Sequence, residues 1–370
     1  NQIGHIPFDY KNRRWMKPGS LTRCFCDVPN EKLCDLVPSG TVIGTITDEV
    51  SALTGIPAGL PLISTGSDKG CETLGLAVVD SDKASISLGT TATIQFSTTE
   101  YVEPQQFLPA YPGVLNDHYN PEIEIYRGLW LLSWFVKEFG TADAIDAKEK
   151  GMAPEALLDQ RIRDLPAGSD GLLLQPYWTA GILHPDSLGA VIGFSEYHTR
   201  YHFYRGIMED RSGLTIHEIR IGGGGAKSDV VCQIAADVFG LPVVRSQTHE
   251  ACSIGSSMVA FVAKGVFADF DAAAKAMVHV KDTFQPNERN HEVYNDIYEQ
   301  AYRKIYPRLR PIYQKLIQVK RRIAQWATNR TKDSSRSGYS PPRRRTATAP
   351  FSAGAIRTSS NIRKSLCTRS

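Results

Sequence analysis

Asp68 is the residue around which a reaction can be built. It lies in Gly66-Ser67-Asp68-Lys69-Gly70, a glycine-bounded turn after a short apolar run, with a lysine beside it. About twenty residues further on, the segments ASISL (84–88) and ATIQF (92–96) flank Gly89-Thr90-Thr91. Both segments alternate with the period of two that marks half-buried strands, and Gly-Thr-Thr between them makes a tight turn. A carboxylate can take a proton from a hydroxyl. Glycine lets backbone approach a ligand closely, and the amides and hydroxyls of such a turn can converge on phosphate oxygens. An ordinary loop before an ordinary hairpin accounts for the same residues.

A second stretch, His217 to Asp229 (HEIRIGGGGAKSD), narrows the choice. It reads as a strand, four consecutive glycines and polar residues that open a helix. Val230, Val231, Ile234, Ala235, Val238 and Phe239 follow at helical spacing, and Gly240 closes the run. Four glycines forgo side-chain packing and are costly to order. They suggest a flat ligand against bare backbone, at a helix N-terminus whose dipole favours anions. A merely flexible loop is the competing reading. No Gly-Lys-Ser/Thr follows at P-loop spacing, and the G-x-G-x-x-G spacing of a dinucleotide fingerprint is absent.

In this order, the two stretches resemble the FGGY family of carbohydrate kinases. A third segment, GAVIGFSEYHTRYHFYRGIMED from Gly189, is similar to the family's C-terminal pattern. Gly189, Val191, Gly193, His202, Phe203, Ile207, Met208 and Glu209 fit it, whereas Phe194 and Gly206 depart from it. GSDKGCETLG with SLGTTAT most resembles the xylulose-kinase-like branch, and the similarity covers residues 1–316. It implies an α/β fold of the ribonuclease H-like (actin/hexokinase/Hsp70) superfamily. The family's architecture has two domains, and here the N-terminal domain is incomplete.

The resemblance also implies the chemistry. ATP would give its γ-phosphate to a hydroxyl of a sugar or polyol, with a pentulose such as xylulose first among the candidates. Asp68 matches the general base and lies near Mg²⁺, which it would share with an acid of the absent part of the N-terminal domain. Gly89, Thr90 and Thr91 match the loop that holds the ATP phosphates. Gly223, Gly224, Gly225 and Ser228 match the adenosine pocket, with Gly222 shaping its entry. Lys69 is unusual in the family; it is assigned to the substrate, reading a sugar oxygen or phosphate, and a surface lysine is the alternative. Superfamily members open with an Asp-Gly-Thr hairpin, and the nearest echo here, Ser39-Gly40-Thr41, lacks the acid. Sugar phosphorylation by this stretch alone is therefore expected to be negligible. A nucleotide-binding scaffold of the actin or Hsp70 type, or a degenerate non-catalytic chain, are the competing functions.

Composition sets the frame. With 370 residues, 42% of them hydrophobic, the chain can bury one large or two ordinary cores. No apolar run approaches the roughly 18 residues of a membrane span, and no secretory h-region is present. The seven cysteines have no disulfide spacing, and Cys24, Cys26 and Cys34 lack a His pair at zinc spacing. Free thiols in a reducing cytoplasm are expected. Residues 319–370 hold 13 Lys/Arg against the single acid Asp333, whereas 1–318 hold 29 basic and 38 acidic residues. The expected division is a remnant of the N-terminal domain (1–65), the C-terminal domain (66–318) and a basic disordered tail (319–370). Expected partners are the sugar or polyol and a second copy in a homodimer. No membrane contact is expected, and nucleic acid would meet only weak charge contacts of the tail.

Other elements follow from local pattern. FDYKNRRW reads as a turn, VPNEKLCDLVPSG as a short helix and TVIGTI as a strand. Residues 122–139 read as one apolar helix, with Trp130 and Trp134 on one side. Residues 141–170 are polar and helical, and GLLLQPYWTAG is a buried strand entering a loop with His184 and Asp186. The helix from 198 is expected to break at Ser212-Gly213, and 251–265 forms a helix capped by Gly265. A Tyr-rich helix over 290–316 contains Pro307 and Pro311, where a kink is expected.

Overall fold

The computed structural model describes residues 7–20, 23, 28–89, 91–104, 108–181, 184–208 and 217–337. Thr90, Cys24, Cys26, Glu209, the Ser212-Gly213 break, Cys367 and the tail from 338 lie outside these residues.

The first elements are short. β1 (Phe8–Asp9) pairs with β2 (Arg14–Trp15), and β3 (Val42–Thr45) with β4 (Pro61–Ile63), the second pair joined through α1 (Asp48–Thr54). Then comes α2 (Asp68–Gly75), followed by β5 (Lys83–Leu88) and β6 (Ala92–Phe96). β7 (Tyr111–Pro112) and β8 (Tyr119–Asn120) form a small ribbon before β9 (Glu122–Ile125). Three helices follow, α3 (Trp130–Phe139), α4 (Thr141–Glu149) and α5 (Pro154–Ile162). The ribbon of β10 (Leu173–Gln175) with β11 (Ala190–Ile192) leads to α6 (Arg200–Met208). The chain returns through β12 (Glu218–Gly222), α7 (Asp229–Phe239), β13 (Val243–Ser246), α8 (Ala251–Ala263), α9 (Phe270–Met277) and β14 (Val280–Phe284). α10 (Glu288–Ile297), a π-helical turn at Tyr298–Tyr302 and α11 (Arg303–Ser337) close the described chain.

Six strands form the main sheet, in the order β14-β13-β12-β5-β6-β9. β12 runs parallel to β5 and to β13, and the other pairs are antiparallel. On one face Ala84, Ile86, Ile94, Ile219, Ile221 and Val243 pack against Cys232 and Ala236 of α7. That burial follows from the period-2 alternation of the strands meeting the helical stripe of α7. α2 and α8 meet through glycines: a Cβ on Gly75 would lie 1.9 Å from the Ala251 carbonyl oxygen, and one on Gly255 1.9 Å from that of Cys71. The two backbones touch only because both positions carry no side chain. The chain divides into two compact units at Gln314/Lys315. No helix among the described residues is long and apolar enough to cross a membrane.

Several local expectations are corrected. Residues 122–125 form β9 and only 130–139 are helical, because Gly128 packs on the backbone of Thr91 and Ala92 where a continuous helix has no room. The expected helix over 28–40 is a single 3₁₀ turn, Asn30–Lys32, with no buried residue to hold a longer one. Asp68 is the first residue of α2 rather than part of a turn. The stretch expected to be disordered from 319 continues α11 to Ser337. Ile312, Leu316, Val319 and Ile323 give it a helical apolar stripe that composition alone conceals. Pro307 and Pro311 both lie inside this helix.

Candidate active site

Ser67 starts α2 by accepting a hydrogen bond from the Gly70 amide at 3.0 Å, which leaves Asp68 exposed in the first turn. Its carboxylate accepts from the Lys69 amide at 2.9 Å. The Lys69 ammonium is not a free surface group. It donates to Glu72 Oε2 at 2.9 Å and to Ser87 Oγ at 2.8 Å, bridging α2 to β5 two residues ahead of Gly89. One turn further along α2, the Thr73 hydroxyl donates to Gln95 Oε1 at 2.6 Å and meets Ser85 Oγ at 2.9 Å. The helix that carries Asp68 is thus fastened by side chains to both arms of the hairpin.

The expected hairpin forms, with Ser85 opposite Gln95, Ile86 opposite Ile94 and Ser87 opposite Thr93. At its tip the Gly89 amide donates to the Thr91 carbonyl at 2.9 Å, and the Gly89 carbonyl accepts from the Leu129 amide at 3.1 Å. Because β12 runs parallel to β5 with Gly222 opposite Ser87, the glycine loop emerges beside the hairpin tip. Residues 68–69, 87–89 with 91, and 222–225, far apart in sequence, converge at the carboxyl ends of two adjacent parallel strands, the usual ligand edge of such a sheet.

The four glycines are not equivalent. A Cβ on Gly222 would stand 3.0 Å from Glu72 Oε1, and one on Gly223, where φ is +75°, 2.8 Å from the Leu88 carbonyl oxygen. On Gly225 it would meet Leu129 Cδ1 at 2.3 Å. On Gly224 it would meet nothing within 4 Å. Packing therefore explains three of them, and Gly224 alone borders open space. Ser228 is engaged as the N-cap of α7, accepting from the Val231 amide at 3.1 Å. His184 and Asp186, in the loop after β10, meet Tyr306 and Gln314: the His184 and Tyr306 rings lie 3.8 Å apart, and Asp186 accepts from Gln314 at 2.9 Å.

The sequence pattern puts Glu122 and Glu124 in a helix and points to no function for them. In β9 they stand opposite Gln95 and Thr93. Burial pushes the Glu122 carboxyl up to about 7; Glu124 and Asp68 add to the rise, while a hydrogen bond from Gln95 and the charge of Lys69 oppose it. Tyr111 and Tyr126 feel the same two glutamates, and both phenols are raised, first by burial. The sequence did carry a signal: Glu-Ile-Glu-Ile alternates with period two.

Among the described residues no three His, Cys, Asp or Glu side chains converge to hold a metal ion. Asp68 can offer one carboxylate to a cation, and a Mg²⁺ here would need its other ligands from nucleotide phosphates or water.

Residues 84–264 match the C-terminal domain of the FGGY family of carbohydrate kinases. An uncharacterized sugar kinase of Escherichia coli is 32% identical over 311 residues, 80% of this chain and 63% of the relative. The xylulose kinase of Bacillus subtilis is 26% identical over 279 residues, 70% of this chain and 53% of the relative. The chain thus spans less than two thirds of the length of these relatives. The crystal structure of a ligand-bound xylulose kinase from Lactobacillus acidophilus superimposes with a TM-score of 0.71 at 21% identity, over 84% of this chain and 63% of that one. The shared fold is the ribonuclease H-like α/β fold of actin, hexokinase and Hsp70. By this match and these relatives, the chain belongs to the FGGY family of carbohydrate kinases.

Proposed function

We propose that the protein is an ATP-dependent sugar kinase, cytoplasmic, that phosphorylates a hydroxyl of a pentulose such as xylulose. The observation that carries this reading is the convergence of Asp68, of Gly89 and Thr91 at the hairpin tip, and of the glycine loop at one sheet edge, held there by the Lys69–Ser87 bond and the β5–β12 register. Phosphoryl transfer asks the protein mainly for positioning and for stabilisation of charge. Asp68 is the general base, exposed and directed by its helix, and takes the proton of the attacking hydroxyl. Gly89, Thr90 and Thr91 hold the phosphates with amides and hydroxyls. Gly223, Gly224 and Gly225 bear the adenosine, and the dipole of α7 behind Ser228 adds to the pull on anions. Lys69 uses two of its three donors on Glu72 and Ser87 and has a third for an acceptor oxygen. Mg²⁺, arriving with ATP, would neutralise phosphate charge beside Asp68.

The test is Asp68→Asn in the intact protein. ATP binding should persist while acceptor-dependent ADP release falls about 10²–10⁴-fold, the usual contribution of a positioned base. A variant that keeps most of its turnover removes Asp68 from the role. ADP release that never depends on an added sugar or polyol would point instead to a nucleotide-binding scaffold.

A further inference from the structure

We infer that α11 carries a docking seam, Leu316, Val319 and Ile323, for a second helix with acidic flanks, a coiled-coil contact independent of the kinase chemistry. Apolar residues occupy positions 305, 309, 312, 316, 319, 323 and 326, alternating steps of four and three that give the a and d sites of a heptad. Ile305, near the start of α11, is buried. In the compact unit that begins at Lys315 the series turns to the surface: Leu316 is 44% exposed, Val319 38% and Ile323 54%.

Two features say what covers the seam. The first is its width. At about 3.6 residues per turn the three side chains fall within about 60° of one another, narrower than the roughly 100° of a helix face laid on a core. A helix lying in a lipid surface likewise buries a broad apolar face, whereas a strict a/d stripe fits the knobs of one facing helix. The second is charge. Lys315 and Arg322 at g sites and Lys320 at an e site flank the seam, all three exposed, and no Asp or Glu occurs between Glu299 and Asp333. A second copy is therefore a poor occupant. Parallel pairing sets the g lysine of one chain against the e lysine of the other, and antiparallel pairing sets g against g and e against e, basic on basic in both cases. A helix with leucines at its own a and d sites and glutamates beside them turns each of those contacts into an attraction while it covers the apolar residues.

The probe is a synthetic peptide of about four heptads with Leu at a and d and Glu at e and g. Calorimetry on the whole chain compares it with a Lys-flanked version of the same peptide. The acidic peptide should bind in the micromolar range and the Lys-flanked one at least about 100-fold more weakly. Leu316→Asn/Ile323→Asn keeps every charge and should weaken the acidic peptide by about 100-fold, since two side chains lose their apolar cover. Lys315→Glu/Lys320→Glu/Arg322→Glu keeps the seam and should exchange the two preferences. All of these residues are exposed, so thermal unfolding of both variants should match the parent. No binding of the acidic peptide, equal binding of both peptides, or full affinity after Leu316→Asn/Ile323→Asn overturns the inference. Retention on phosphatidylserine vesicles without binding of the peptide would assign the seam to an anionic membrane instead. Self-association of the chain that Leu316→Asn/Ile323→Asn abolishes, read by equilibrium sedimentation, would assign it to a second copy.

Discussion

On one face of the β5–β6–β9 ribbon, Ile86 meets Ile94 and Ile94 meets Ile123; on the other, Ser87 meets Thr93 and Gln95 meets Glu122. The two faces differ in how they hold the chain. The apolar face packs against α7 through many small contacts, so any one group is replaceable at a graded cost. The polar face is fastened by a few named hydrogen bonds, Lys69 to Ser87 and Thr73 to Gln95, and losing one partner leaves the other buried and unsatisfied. Such a face is a poor source of stability. It is suited to fixing a carboxylate on α2 at a set position beside the tip of the β5–β6 hairpin.

α2, which these bonds tie to the polar face, is backed in turn by α8, and the largest effect comes from breaking that contact. Gly255→Val places a branched side chain where a Cβ already meets the Cys71 carbonyl oxygen. Backbone cannot yield as a flexible side chain would, and the loss should be at least about 3 kcal/mol in urea unfolding. A small loss would mean that α2 and α8 can part without harm to the site. Next is Ile94→Ala, which removes a buried methyl-rich side chain from the apolar face and should cost about 2–4 kcal/mol. Its folded form should bind ATP as before. A matching fall in ATP affinity would show that the two faces are not independent.

The apolar face was legible in the sequence and the polar face only in part. ASISL and ATIQF declare their alternation, and α7 announces both ends with Ser228 and Gly240, whose amide donates to the Ala236 carbonyl as a left-handed cap should. Asp68 stood out because it is a lone acid among glycines. Glu122 and Glu124 did not, because a four-residue strand runs into the apolar stretch of α3 and the longer signal prevailed. Lys69 is ambiguous in the sequence for a different reason. Its partner Ser87 lies eighteen residues away, and only the folded register brings it within reach. Local pattern reports which face a residue belongs to; it does not report which hydrogen bond crosses from a helix to that face.

A smaller effect sharpens the comparison through pH. The Glu122 carboxyl holds its proton in the fold up to about pH 7, whereas its ordinary value is 4.5. Between these values the folded state binds a proton that the unfolded chain has released, so stability falls as pH rises. Below the window both states are protonated and no penalty exists; above it the full penalty of a buried charge is present. Glu122→Gln should remove this slope, worth about 1–2 kcal/mol after allowance for partial exposure. An unchanged slope would place the titration elsewhere on the polar face.

The smallest expected effect, Gly224→Val, probes the line where the two faces meet. Gly222 lies against Glu72 and Leu76 on the α2 side of the sheet, and Gly225 against Leu129 and Leu88 on the other. Either substitution would disturb packing before any ligand arrived, and a loss of binding there would say little about the site. Gly224 has nothing within 4 Å of its would-be Cβ, and a valine should fold there without a clash. Its thermal unfolding should therefore match the parent. If bare backbone at this position bears the adenosine, the added methyl groups occupy the ligand's space, and ATP affinity should fall about tenfold, equivalent to about 1.4 kcal/mol. Calorimetry on a variant of parental stability separates the two roles of the loop. Unchanged affinity would leave all four glycines to be explained by packing and flexibility, and would move the nucleotide away from this edge of the sheet.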